Sequence, residues 1–398
     1  RRPRAHPPPR PPRMQPKVSV AYTLTQPGDE GRHKFGINAL DVCRNPAPQA
    51  AWAGSTSLFT AGRDSKLRRW DVSALDGAAA GRRGTSAAHP LTCVATYEDH
   101  SDWVNDVVVA SQHGLLLSAS SDHTLKLWPL DAREDPAPRT TVRTHTDYVK
   151  RLCYSAASGL VASASLDKMI HIFNIDSLRV HASTGGDASG GGAGPGVSDD
   201  WSSDGSGPAV AAGHQDSVYA LAMNEAGSLI ASGSVEPEIR LWDARTGRKQ
   251  MKLPGHSDVV RALRLDAEGR MLVSASSDRT VRLWDLASPG RCMHAWRVHR
   301  DAAWALEVDA AWRTLYSAGR DGRMYAHSLV DWSTVVLARE AAPVVGLRLG
   351  TRGTHLWAAT TRSDLRAWTL EGVAAALEAG GNHPSAAEEE TPRTPREF

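Results

Sequence analysis

One spacing recurs along this 398-residue chain: a His, then an acidic residue 22 positions on, then a ring-bearing residue 6 further, usually Trp. His100–Asp122–Trp128 is one copy. The others are His145–Asp167–Phe173, His214–Glu236–Trp242, His256–Asp278–Trp284 and His299–Asp321–His327. Where no insertion intervenes, successive copies lie 42 to 45 residues apart. Repeats of that length are supersecondary units that bury their faces only by stacking on one another.

Each copy carries similar text. After the His come a short polar turn and an apolar strand, as in Val104–Val109 or Val259–Leu265. A second strand ends in Ser-Ala-Ser or Ser-Gly-Ser, as in Leu116–Ser120, Ile230–Ser234 and Leu272–Ser276. A tight turn holds the acid. A third strand follows, such as 124–128, 238–242 or 280–284, ending in Trp. Alternating apolar and polar residues between Gly, Asp and Ser turns are the signature of strands. These residues resemble the WD40 repeat. The fold expected is therefore all-β, a WD40 β-propeller whose blades stack radially and whose closed ring leaves only short edges.

The resemblance implies a polar network of His, strand Ser or Thr, turn acid and indole N–H in each blade. Here it would use His100, Ser118 or Ser120, Asp122 and Trp128, with equivalents at His145 and Asp167, His214, Glu236 and Trp242, His256, Asp278 and Trp284, and His299 and Asp321. His, Ser and Asp also compose a catalytic triad. A nucleophile site occurs once in a domain, whereas this set recurs with the repeat and reads as buried polar groups satisfying one another.

Two weaker copies flank the five. Arg63-Asp64 and Trp70 keep the 6-residue offset, His33 matches His100, and an insertion near Asn45–Trp52 stretches this copy. In the last copy, 343–349, 356–360 and 365–368, Glu340 stands for the His and Arg362 for the acid, so the network is expected to be lost. That makes seven blades. A lone strand, 17–24, is of the kind that completes the last blade and closes a ring.

The propeller is placed at residues 17–375, with a flexible Gly/Ser/Asp-rich insertion at 182–213. Residues 1–16 form an Arg/Pro-rich disordered tail, 76–90 an Ala/Gly/Arg-rich loop, and 376–398 an acidic tail with Thr391-Pro392 and Thr394-Pro395 as weak phosphorylation motifs. An Ala-rich helical piece is expected at 373–379. Cys43, Cys93, Cys153 and Cys292 are scattered and read as reduced strand residues of an intracellular protein. There is no membrane-length apolar run, no phosphate-binding Gly loop and no metal-ligand spacing among His6, His113, His181, His294 and His355. No enzyme, metal or cofactor is expected. A formal charge of +2 argues against nucleic acid as the primary partner.

The repeat also places one rim of the ring. The residue 5 after each His reads Asn38, Asn105, Lys150, Tyr219, Arg261 and Trp304. The residue before each turn acid reads Arg63, Ser121, Leu166, Val235, Ser277 and Arg320, and Trp103 and Tyr148 precede two of the strand starts. Trp, Tyr and Arg dominate interface hot spots. Arg261, Trp304 and Arg320 are expected to lie together as a docking anchor, with Trp103, Tyr148, Lys150 and Tyr219 as further rim contacts.

Residues 58–65, 102–106, 144–150, 217–224, 251–256, 304–306, 319–321 and 358–362 resemble a narrower family, the WD40 cofactors of ubiquitin-specific proteases, over about Lys17 to Leu370. That resemblance implies a non-catalytic, nuclear and cytoplasmic protein that grips the fingers region of such proteases, raises their turnover allosterically and works with DNA-repair complexes. It assigns protease contact to Arg261, Trp304 and Arg320. It also implies an eight-bladed ring followed by substrate-recruiting modules, whereas this text ends near blade seven. The alternative is a substrate receptor of a cullin-based ubiquitin ligase, because Trp242-Asp-Ala-Arg245 resembles the box by which such receptors dock.

Overall fold

The computed structural model describes residues 20–23, 33–43, 56–73, 91–130, 136–177, 180–184, 213–287 and 290–379. The tail at 1–16, the loop at 76–90, the insertion near Asn45–Trp52, and most of 182–213 and 376–398 lie outside them. Within them, 28 strands numbered β1 to β28 form seven four-stranded antiparallel sheets. Six sheets use four consecutive strands each. The seventh has the order β1-β28-β27-β26, in which β1 (Val20–Thr23) lies beside β28 (Leu365–Thr369) and β27 (His355–Thr360) intervenes before β26 (Val344–Leu349). The lone N-terminal strand thus supplies the outer strand of the C-terminal blade.

The first strand of each blade lines a central channel. These are β2 (Ile37–Cys43), β6 (Val104–Ala110), β10 (Val149–Tyr154), β14 (Val218–Met223), β18 (Val260–Leu265), β22 (Ala303–Val308) and β26. Each packs on the next, and β26 packs back on β2. The hydrophobic core is correspondingly divided among the blade interfaces. Phe59, Leu67 and Tyr97 of blade one meet Val107, Leu116 and Trp128 of blade two. At the closing seam Ile37, Leu58 and Trp70 meet Trp357, Leu365 and Ala367 of blade seven. That seam leaves no place for the eighth blade implied by the narrower resemblance: ring closure with seven is complete because β1 fills the last sheet and the outer blades already share a core.

Strict alternation fails on the second strands. In β7 (Leu115–Ser120) every residue after the first is buried, and the same holds for β11 (Leu160–Ser165) and β19 (Met271–Ser276). Both faces of a blade are covered by neighbours, so a mid-blade strand reads as continuously buried. Helix α1 (Val373–Glu378) buries Val373, Ala376 and Leu377, and Ser333 Oγ donates to Leu377 O at 3.2 Å. The packed unit therefore runs past the boundary expected at residue 375. Among the described residues no helix is long and apolar enough to cross a membrane.

Candidate functional site

The recurring polar residues assemble within each blade. In blade two His100 Nδ1–H donates to Asp122 Oδ2 at 2.7 Å, Ser118 Oγ–H donates to His100 Nε2 at 2.7 Å, and Trp128 Nε1–H donates to Ser118 Oγ at 2.9 Å. This proton assignment is the one that satisfies every partner. His256, Ser274, Asp278 and Trp284 repeat the set in blade five. His33, Thr60, Asp64 and Trp70 do so in blade one. In blade four Glu236 is held at 3.4 Å from His214, while Trp242 and Ser232 keep their bond. Blade three has His145, Ser163 and Asp167, with Phe173 supplying no indole N–H. Blade six substitutes His327, whose Nε2 lies 2.8 Å from Ser317 Oγ, beside His299 and Asp321. Each of these strand Ser side chains is wholly buried, so the triad-like geometry meets no substrate.

The electrostatics agree with a structural role. Burial pushes the Asp122 and Asp278 carboxyls up, but hydrogen bonds from His100 and Thr124, and from His256 and Thr280, outweigh it and hold both well below the usual range. Burial raises Glu236 too, but the hydrogen bonds from His214 and the Gln215 N–H, with the nearby Arg240 charge, together bring it down to about 2. Burial drives the His33, His214 and His327 imidazoles down. Contrary to expectation, blade seven keeps a polar network. Glu340 is buried and accepts from Trp368 Nε1 at 3.2 Å and from Arg366 Nη1 at 2.5 Å. The turn acid has moved to Asp364, which accepts from Thr360 Oγ1 at 3.2 Å.

The spacing did not reveal that His145, Asp167 and His171 have ligand atoms within 4.8 Å of one another. His145 already uses both nitrogens on Asp167 and Ser163. An ion would have to displace those bonds, so the donor set fits a structural network better than a metal.

The rim positions are built by a backbone device. In every blade the first strand slips register by one residue against the second. The extra residue of these bulges is Asn38, Asn105, Lys150, Tyr219, Arg261, Trp304 and, in blade seven, Val345. A bulge re-aims a side chain at the end of a strand. Together with Arg151, these seven residues line a recess at one mouth of the channel. The structure thus brings Arg261 and Trp304 together, along with Lys150 and Tyr219. Arg320 lies outside the recess lining, exposed on the turn after β23 (Thr314–Gly319), with Nε 3.5 Å from Asp301. Trp103 and Tyr148 are also outside it and exposed; the Arg63 guanidinium sits 5.1 Å from the Trp103 ring and the His123 ring 5.7 Å from that of Tyr148.

Deeper in the channel runs a charge belt that sequence reading missed. Arg348 Nε donates to Asp41 Oδ1 at 3.0 Å across the closing seam, and its Nη1 lies 3.5 Å from Glu307. Arg264 donates to Glu307 at 3.1 Å, and Arg151 lies 3.7 Å from Asp106. Asp41, Glu307, Arg264 and Arg348 share one offset, 8 residues after the His or its substitute. That signal was available, but opposite charges at one repeat position only become partners once the ring is closed.

The molecule is an all-β, seven-bladed propeller that carries WD40 repeats. The profile of the family described as WD domain, G-beta repeat matches residues 91–129, 137–174, 208–243 and 247–285, which carry the first three strands of blades two to five. A propeller of this kind is a protein-interaction scaffold, a class that is generally non-catalytic. Of the ligase-type box, Trp242 is buried in its network and Arg245 is exposed on the turn after β16 (Ile239–Asp243).

Proposed function

We propose that this propeller is a non-catalytic cofactor that docks a ubiquitin-specific protease on the rim bearing Arg261, Trp304 and Arg320, as in the family of WD repeat-containing protein 48. The observation that carries the reading is the pairing of Arg261 with Trp304 at the recess. Trp304 is half-buried and still faces it, and the Arg261 guanidinium is steadied by the Tyr219 ring at 4.8 Å and by Ser277 Oγ at 3.0 Å. A fixed aromatic beside a fixed guanidinium is the composition of an interface anchor. Arg320 adds an exposed cation whose ion pair with Asp301 is weak at a surface. Docking would raise protease turnover by binding the competent conformation more tightly than the idle one. Action in nuclear and cytoplasmic deubiquitination, including DNA repair, belongs to the same proposal.

The test is ubiquitin–fluorophore hydrolysis by a purified ubiquitin-specific protease catalytic domain, with and without this chain and its Trp304→Ala variant. Enhancement that the variant loses supports the proposal. Folded chain that gives none overturns it and turns attention to ligase-adaptor binding through Arg245, checked by co-purification with Arg245→Ala.

A further inference from the structure

We propose that the recess at the channel mouth is an anion site that takes a phosphate group, either free or carried on a side chain of a bound protein. It rests on the bulged ring of residues, shares Arg261 and Trp304 with the proposed docking rim, and does not require a bound protease.

The charges there are unbalanced. Lys150, Arg151 and Arg261 all line the recess. Arg151 faces Asp106 at 3.7 Å, deeper in the channel. Lys150 Nζ donates to Asn105 Oδ1 at 3.1 Å, a neutral partner, and Arg261 Nε donates to the neutral Ser277 Oγ. Neither is within ion-pair distance of a carboxylate among the described residues; the acids they sense from further off are Asp102 and Asp258. Ions removed from water are ordinarily paired, and a recess walled by protein concentrates an unpaired field. The Lys150 ammonium feels this directly. Burial first, then Arg151, Arg63 and Arg261, bring it down to about 8.

The neutral groups are already committed, which leaves the cations for a ligand. Asn38 donates to Val104 O and accepts from Arg63 Nε, while Asn105 donates to Val149 O and Ser121 Oγ. These bonds fix the floor across three blades. One carboxylate would balance one cation, whereas a phosphate monoester carries nearly two charges at neutral pH and several acceptor oxygens. Guanidinium and ammonium donors together suit that group. Trp304 and Tyr219 form the wall against which an ester's organic part would lie.

Lys150→Gln is the informative variant, because a Gln amide can still donate to Asn105 while the charge is gone. The measurement is thermal unfolding of the full chain at pH 7 and constant ionic strength, with and without inorganic pyrophosphate. Calorimetric titrations are run in parallel with a phosphoserine peptide and its unphosphorylated form. Arg270→Gln, an exposed cation on the turn between β18 and β19, is the control for general charge screening. The expected result is that Lys150→Gln alone unfolds no lower than the parent, that pyrophosphate raises the parent's midpoint, and that affinity falls at least tenfold in Lys150→Gln and Arg261→Gln. Phosphopeptide binding that needs the phosphate would assign a protein-borne group; pyrophosphate binding alone would assign a free phosphate. Affinity unchanged in both recess variants, or reduced equally in Arg270→Gln, would overturn the site.

Discussion

Asp278 ends four hydrogen bonds at one carboxylate. It accepts from His256 Nδ1, from the backbone N–H groups of Ser257 and Thr280, and from Thr280 Oγ1. Asp278→Ala removes the shared acceptor of those donors in a half-buried turn. We expect a loss of about 1–3 kcal/mol in denaturant unfolding, and an unchanged midpoint would contradict the network. The residue after the acid takes a left-handed backbone at Ser65, His123, Lys168, Arg279 and Gly322. Pro237 cannot adopt it, which is why blade four departs from the others and uses a longer acid. Lys150 gives a pH prediction. Its folded-state value of about 8 lies below the ordinary 10.5, so between them the unfolded chain binds more protons and stability rises with pH. Below about 8 the penalty is fully present. Unfolding measured across that window should show this rise in the parent and lack it in Lys150→Gln.

At the scale of elements, ring closure depends on a strand distant in sequence from its sheet. β1 pairs with β28 through Val20↔Trp368 and Thr23↔Arg366. Removing residues 1–24 should expose the β28 edge, an association hazard. The expected outcome is a lower unfolding midpoint and concentration-dependent self-association in sedimentation, both reversed by a peptide of residues 17–24. The second closure device is Arg348, which holds Asp41 of blade one and approaches Glu307 of blade six. Arg348→Ala leaves the Asp41 carboxylate without its cation, while Glu307 keeps Arg264. A cost of about 3 kcal/mol is expected for breaking such a pair, read by chemical denaturation; Arg264→Ala, which leaves Arg348 on Glu307, should cost less.

At the scale of the molecule, the ring converts seven equivalent bulges into one recess and leaves the outer rim to separate contacts. Trp304→Ala and Arg320→Glu should keep the fold, seen as unchanged circular dichroism and unfolding midpoint, while protease binding measured by interferometry weakens. Loss of folding would make Trp304 a core residue and remove the site. Much of this architecture was legible in one dimension. The His-to-acid and acid-to-ring offsets set the blade, its strands and its buried network, because a four-stranded blade of fixed length must satisfy the same buried donors each time. They also placed Asn38, Lys150, Arg261 and Trp304 on a common rim. Three things waited for the folded ring. Blade seven's network could not be read, since Glu340 and Asp364 solve the same donor problem from shifted positions. Strand 17–24 was legible as a closing strand, but that seven blades suffice depended on the seam of Ile37, Trp70 and Trp357, contacts between opposite ends of the chain. The channel charges acquired partners only when Asp41 met Arg348. A repeat encodes what lies within each blade, where the distances are short and local; curvature, closure and the pairing of like positions across blades are set by packing between them.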